Sequence, residues 1–292
     1  TNQAFQKKKW DEMTVRARGL FINKENMTIA SRGYDKFFNL NERRETRVHH
    51  LPDIVQFPVM LYDKPNGFLG LIGYDDQADD ILLTTKSTSH GNYANMFRDL
   101  YEETFSEPAK AFIKRYVKAM NVTLSFEVID MERDPHIIKY DGNKLVLLDI
   151  IKRETEFKKF PYSQVEKLAS TLGCEHKELK YVFENWQDFY AWYRHAAEDF
   201  TVETEGYVIE DSAGFMTKMK LPYYNLWKQF RGIKHNLGRG SIGDIKLGAI
   251  HTKEGNRVFN YLKTLDRQTL KENDIITLRD MYLEHARQQE PL

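Results

Sequence analysis

A lysine set against a turn is the first candidate for chemistry in the sequence: Lys64, in Met60-Leu61-Tyr62-Asp63-Lys64-Pro65-Asn66-Gly67-Phe68-Leu69-Gly70. An amine at its ordinary pKa is protonated and inert, so Lys64 can attack an electrophile only if burial or neighbouring positive charge strips its proton. Cations stand near several other strand ends: Arg18, Lys36, Lys86, Lys218 and Lys220. Glu127 interrupts the apolar run Leu124-Ser125-Phe126-Glu127-Val128. A buried carboxylate is costly, so Glu127 must face water, meet a cation or bind a polar ligand. Lys218 and Lys220 are two apart in one predicted strand, as are Glu203 and Glu205 in the one before, so each pair shares a face. That spacing also fits a cross-strand ion ladder of small energy, and Pro65-Asn66-Gly67 also fits an ordinary hairpin turn with a solvated lysine. Local sequence leaves these readings open.

The elements that must position these residues alternate strand and helix signals. Alternation predicts strands over Val15 to Phe21, Phe57 to Tyr62, Phe68 to Tyr74 and Ile81 to Lys86, the last three as a meander whose first turn holds Lys64. Helical spacing covers Asn92 to Glu103 and Pro108 to Met120, and strands return at Val122 to Ile129 and Lys144 to Ile151. Two helical patterns follow between Tyr162 and Phe200. The second carries Trp186, Phe189, Tyr190, Trp192 and Tyr193, a stripe read as core packing. Strands over Thr201 to Ile209 and Gly214 to Leu221 precede a change of texture near Trp227, to a basic, glycine-containing loop and then helices at Asn260 to Leu265 and Ile275 to Arg287.

Composition narrows the class of protein. Lysine plus arginine equals aspartate plus glutamate at 43 each, so net charge makes no case for a polyanionic partner, and any such partner must be held by local clusters. No apolar run approaches the ~18 to 20 residues of a membrane helix. No signal peptide opens the chain, and the lone Cys174 fits a reducing compartment, so an intracellular, cytoplasmic protein is expected, of cellular, phage or viral origin. The chain opens on Thr1 and runs into Lys7-Lys8-Lys9, which reads as a piece of a longer protein. Gly238-Arg239-Gly240-Ser241-Ile242-Gly243 matches G-x-G-x-x-G but follows no clear strand, so it is read as a flexible basic loop and not a dinucleotide fingerprint. His49-His50, and Cys174 with His176, lack zinc-site spacing.

Taken in order, Lys64-Pro65-Asn66-Gly67, Phe126-Glu127-Val128, Leu145-Val146-Leu147-Leu148-Asp149, Glu205-Gly206-Tyr207-Val208 and Lys218-Met219-Lys220 resemble the motif series of the covalent nucleotidyltransferases, the ATP-dependent ligases and mRNA-capping enzymes. Upstream, Arg16 to Phe21 and Ile29 to Glu42 resemble the corresponding segments of the T4 RNA ligase 1-like and tRNA-ligase branch, and the likeness spans about Arg16 to Tyr224. Many ligases of the superfamily carry aspartate at the position of Asn66, whereas asparagine resembles the tRNA-ligase variant.

The resemblance implies an α+β fold: a nucleotidyltransferase domain of antiparallel sheets and flanking helices over residues 1–224, and a small, mainly helical C-terminal module over 225–292. It implies Lys64 as the lysine that takes AMP, Arg18, Lys36 and Lys86 on the ATP phosphates, and Gly67 as the site of close backbone approach. Glu127 falls at the ribose and Glu205 at the water shell of a metal, Mg²⁺ or Mn²⁺, with both carboxylates as candidate metal-side groups, while Lys218 and Lys220 grip the α-phosphate. The implied activity is ATP-dependent joining of RNA ends, from broken tRNA or other single strands, with an end-healing kinase or phosphatase as a partner or fused domain. The alternatives on the same fold are a non-catalytic RNA-binding module and a GTP-using capping enzyme.

Overall fold

A computed structural model describes residues 7, 9–240 and 250–289. Two antiparallel sheets face each other across a cleft. One is four-stranded and the other five-stranded, with a separate two-stranded ribbon beside them. In chain order the parts that build them are α1 (Glu12–Arg16), β1 (Phe21–Ile22), β2 (Ile29–Ser31), β3 (Val59–Asp63), β4 (Phe68–Asp75), β5 (Asp80–Thr85), α2 (Asn92–Thr104), α3 (Glu107–Ala119), β6 (Val122–Ile129) and β7 (Lys144–Lys152). Then come α4 (Tyr162–Leu172), β8 (Glu175–His176), β9 (Leu179–Phe183), α5 (Trp186–Ala196), β10 (Gly206–Asp211), β11 (Met216–Lys220), α6 (Pro222–Arg239), α7 (Lys253–Thr264), α8 (Arg267–Glu272) and α9 (Ile275–Gln289). The four-stranded sheet has the order β11-β10-β3-β9 and the five-stranded one β5-β4-β6-β7-β8, in which only the β7–β8 pair is parallel, while β1 and β2 pair with each other.

The five-stranded sheet is the better buried. Every residue of β6 is buried, because β4 and β7 flank it while α2, α3 and α4 pack on one face through Phe97, Leu100, Ile113, Val117, Val165 and Leu168. On α2 the buried residues Ala94, Phe97, Leu100 and Tyr101 recur at three- and four-residue steps, the apolar stripe that docks a helix on a sheet. The four-stranded sheet packs through Leu61, Tyr207, Ile209 and Met219 against Phe189 of α5 and against Leu51.

β3 and β4 are not a hairpin. They pair with different partners in different sheets, so Lys64-Pro65-Asn66-Gly67 is a crossing from one sheet to the other. The same crossing is made in reverse by Lys177-Glu178, between β8 of the five-stranded sheet and β9 of the four-stranded one. The crossings are tied together, Asp63 N–H donating to the Glu178 carbonyl at 2.9 Å. Strand pairing is long-range, and two β-forming runs around a turn look the same in sequence whether or not they pair with each other.

Other segments depart from the expected pattern for local reasons. Val15 to Phe21 forms no full strand: Asp11 and Thr14 make a reciprocal capping box that starts α1, and Arg18 falls in the loop after it. The segment from Trp227 is not a loop, since α6 runs unbroken from Pro222 to Arg239 with Tyr223, Trp227, Phe230, Ile233 and Leu237 buried, and ends at Gly240 with φ of 76°. Gly238 and Gly240 of the G-x-G-x-x-G match thus lie at a helix end, while Ser241 to Gly243 lie outside the described residues. α6 to α9 share one apolar cluster with Ile137 and Ile138 from the β6–β7 loop. β9 escaped sequence reading because it is an edge strand whose alternate faces are both largely exposed and whose run includes Lys180.

Candidate active site

Lys64 stands at the seam of the two sheets, where the end of β3 meets β10: its backbone N–H donates to the Gly206 carbonyl at 3.0 Å. Its Nζ lies 3.0 Å from Glu205 Oε2, and Lys220 Nζ lies 2.6 Å from Glu205 Oε1. Asn66 donates from Nδ2 to Glu205 Oε2 at 3.0 Å, while its own Oδ1 accepts from the Ile138 N–H at 3.3 Å. Asn66 therefore holds the Glu205 carboxylate by an amide donor, which an aspartate in its place would not supply. The backbone N–H of Gly67 donates to Glu127 Oε1 at 2.9 Å. A Cβ on Gly67 would sit 2.1 Å from the Val128 carbonyl oxygen, so no other residue lets β4 start this close to β6. Gly206, with φ of 145°, is under the same constraint: a Cβ there would meet the Met219 carbonyl oxygen at 1.9 Å.

The expected ladder of two glutamates and two lysines does not form. Residues 201–205 precede β10, Glu203 is exposed, and Glu205 alone enters the seam. There it serves both Lys64 and Lys220.

Arg18, Lys36 and Lys86 are brought together through the loop after α1. Gly19 N–H donates to the Lys86 carbonyl at 2.8 Å, Gly33 N–H to the Gly19 carbonyl at 2.8 Å, and Lys36 N–H to the Val15 carbonyl at 3.0 Å. The following segment then runs beside β11, with Leu40 N–H donating to the Lys218 carbonyl at 2.8 Å. Arg18, Lys64, Gly67, Lys86, Glu127 and Lys218 line one cavity of about 260 Å³. Lys36 stands beside it, near enough to feel Arg18 and to act on Lys218, and its ammonium packs 4.4 Å from the Phe38 ring centroid. Lys220 faces a second, larger groove that shares Lys218 with the first.

Charge and burial set the protonation of the group. Lys218 is pushed down to about 7, by burial first and then by Lys64, Lys36, Lys220 and Arg18. Lys36 and Lys86 are lowered for the same reasons, burial foremost and Arg18 next. Lys64 goes the other way: burial disfavours its ammonium, but Glu205 and Glu127 outweigh burial and raise its pKa. Burial raises Glu127 despite Lys64, whereas Lys64 and Lys220 together overcome burial and lower Glu205. An arriving polyanion would therefore meet four cations that repel one another and a lysine held protonated by carboxylates.

Sequence reasoning placed Tyr34 and Asp149 within its motifs but gave them no role, and missed Lys177 and Glu210 on the same side of the cavity. Lys177 Nζ contacts Asp149 Oδ1 and Oδ2, both at 3.0 Å, and Glu210 Oε1 at 2.9 Å. Lys159 Nζ reaches the same two acids at 3.2 and 2.5 Å, and the Tyr34 hydroxyl donates to Asp149 Oδ2 at 2.6 Å. Lys177 also sits 4.2 Å from the centroid of the Tyr62 ring. Asp149 belongs to β7 and Glu210 to β10, so the network ties the five-stranded sheet to the four-stranded one beneath the cavity. Asp149 in Leu145-Val146-Leu147-Leu148-Asp149-Ile150 carried the same signal as Glu127, an acid inside an apolar strand. Lys177 carried none, since it lies in a short charged run beside His176 and Glu178.

Two sheets closing on a nucleotide-sized cavity, with a lysine at their seam and a ring of cations at one end, define the nucleotidyltransferase fold of the ATP-dependent ligases. The chain superposes on an archaeal ATP-dependent RNA ligase with a TM-score of 0.59 at 12% identity, over 85% of this chain and 68% of that one. The profile described as RNA ligase, of the T4 RNA ligase 1 type, matches residues 16–224, and the chain belongs to that family. It is 26% identical to a tRNA ligase of Candida albicans over 81% of its own length and 24% identical to tRNA ligase 1 of Schizosaccharomyces pombe over 93%. It spans only 33% and 38% of those two relatives.

Proposed function

We propose that the protein is an ATP-dependent RNA ligase that seals a 5′-phosphate to a 3′-hydroxyl, in repair of broken tRNA or other single-stranded RNA. One observation carries the reading: the family's lysine, Lys64, stands at the seam between Glu205 and a cavity whose far wall is Arg18, Lys86 and Lys218. In the first step the neutral Lys64 amine attacks the α-phosphorus of ATP, a nitrogen–phosphorus bond forms, and the bond to pyrophosphate breaks. Glu205, already within 3.0 Å of Lys64 Nζ, stands where the departing ammonium proton can be held. Arg18, Lys36 and Lys86 take charge on the leaving pyrophosphate, and Lys218 and Lys220 take it on the α-phosphate, which is most of what phosphoryl transfer asks of a protein. Glu127 holds the ribose. In the second step an oxygen of the RNA 5′-phosphate displaces Lys64 from phosphorus, and in the third the 3′-hydroxyl oxygen attacks the 5′-phosphate and AMP leaves.

A divalent cation, Mg²⁺ or Mn²⁺, fits the donor set if bound through water. Glu205 and Glu127 are hard oxygen donors beside Lys64, and no group of three or more carboxylate, histidine or cysteine ligands occurs among the described residues to hold it directly. Such an ion would neutralise phosphate charge and disfavour the Lys64 ammonium. Residues 225–292 are proposed as a module that grips RNA backbone, with Arg231, His235 and Arg239 exposed along α6. A kinase or phosphatase that heals RNA ends is proposed as a fused segment or partner. Burial holds the Cys174 thiol up at about 12, as an unreactive thiol of an intracellular protein would be.

The test is sealing of a nicked anticodon stem-loop bearing 5′-phosphate and 3′-hydroxyl ends, with ATP or GTP. Ligated product with ATP and not with GTP is expected. Transfer of a guanylate to an RNA 5′ end would contradict the reading.

A further inference from the structure

The larger groove beside the nucleotide cavity, of about 740 Å³, is lined by Asn39, Asn41, Tyr193, Lys218, Lys220 and Lys228 among others. It borders the nucleotide cavity at Lys218, which lines both, so whatever enters it approaches the phosphate end of a bound nucleotide. Its cations are crowded: burial, then Lys220, lowers Lys228, and both lysines pack on Tyr224, with ring-centroid distances of 4.6 and 5.7 Å. Mutually repelling, partly desolvated ammonium groups are relieved by an anion.

One wall continues outward along α5. The rings of Trp186 and Tyr190 stack at 5.5 Å with 20° between planes, and those of Tyr190 and Tyr193 at 6.2 Å with 23°. The stripe thus divides. Phe189 is buried and Trp192 packs on Phe183, Phe189 and Tyr207, while Tyr190 is 41% exposed and Tyr193 reaches the groove, its hydroxyl accepting from Asn41 Nδ2 at 3.3 Å. Core packing accounts for the inner rings and for the inner sides of Trp186 and Tyr193, and leaves exposed Tyr190 unexplained.

We propose that this groove and strip form the seat of a single-stranded RNA end, phosphates on Lys218, Lys220 and Lys228 and unpaired bases against the groove side of Tyr193 and the exposed edge of Tyr190, the ring that backs it. A cationic trough beside near-parallel rings is the arrangement that holds single strands without reading sequence, and a duplex, whose base faces are covered, cannot use the rings. The inference rests on the ligase reading for the kind of polymer; the surface itself rests on the groove and the rings.

The full chain is tested against a fluorescent, 5′-phosphorylated single-stranded RNA and its duplex by anisotropy, alongside self-adenylylation with ATP. Tyr190→Ala, which removes the exposed ring and the backing of Tyr193, should weaken single-strand binding about 5- to 150-fold, the span of stacking losses per base. Tyr190→Phe should restore it, and self-adenylylation should be unchanged in both. Equal RNA affinity of wild type and Tyr190→Ala, or a duplex bound as tightly as the single strand, would overturn the proposal while leaving the ligase reading intact. Tyr190-dependent binding in a protein that takes up no AMP would support the surface and overturn the ligase reading.

Discussion

At the scale of single residues, the site balances two opposed electrostatic demands. Lys64 is held protonated by Glu205 and Glu127, while Lys218, across the same sheet, is pushed down to about 7 against an ordinary 10.5 by burial first and by neighbouring like charge next. A bound triphosphate reverses the pressure on Lys218, since an adjacent anion favours the charged form. Between about pH 7 and the ordinary lysine range, ATP binding should therefore take up proton, and affinity should fall as pH rises through that window. Titration calorimetry in two buffers of different ionisation enthalpy measures the uptake. In Lys218→Arg, which stays charged throughout, the uptake should shrink, and an unchanged value would remove Lys218 from the phosphate site. Lys36 and Lys86, lowered by the same causes, are the residual contributors. Residue identity at this scale was well represented in sequence, because a lysine beside Pro-Asn-Gly and an acid within an apolar strand are unusual in themselves. The partner of each was not: that Glu205 serves two lysines while Glu203 faces solvent depends on where β10 begins.

At the scale of elements, the two sheet crossings matter most. Lys64 leaves the four-stranded sheet for the other, and Lys177 returns, so the residues with the strongest chemistry lie where neither sheet can be repacked without moving both. Lys177, 4% exposed, bridges β7 and β10 through Asp149 and Glu210, and removing it leaves those two buried acids with Lys159 and, for Asp149, Tyr34. Lys177→Met should cost about 3–5 kcal/mol, the usual loss when one member of a buried ion network is deleted, seen as a lower denaturation midpoint. A change below about 1 kcal/mol, the range of exposed pairs, would mean that the sheets are held together without it. Strands β4 to β7 and helices α2 and α3 were legible within a residue or two, since each has a strong period and clear turn residues at its ends. The sheet change between β3 and β4 was hidden, because pairing partners are chosen by tertiary packing that no local window contains. α6 was hidden for another reason: its glycines and basic residues look like loop, and its helical stripe of Trp227, Phe230, Ile233 and Leu237 becomes decisive only against α7 to α9.

At the scale of the whole molecule, equal numbers of acidic and basic residues are arranged into strongly unequal places. Arg18, Lys86 and Lys218 line one cavity with Lys36 beside it and Lys220 on the adjoining groove, and many remaining charges pair on the surface, as Lys110 does with Glu102 and Glu107. Net charge therefore says nothing of the partner, and local placement says a great deal. The ordered motifs disclosed the architecture because chemistry fixes where each must stand on the two sheets. The outer groove and the aromatic strip on α5 left no comparable order in sequence. The central claim is that these parts serve a covalent bond at Lys64. It is tested most directly by incubating the protein with ATP labelled at the α-phosphate and a divalent cation, then resolving it on a denaturing gel. The account requires label that survives denaturation, maps to the peptide containing Lys64, and is lost in Lys64→Ala. Wild-type protein that stays unlabelled with pyrophosphatase present, or label retained in Lys64→Ala, would contradict it.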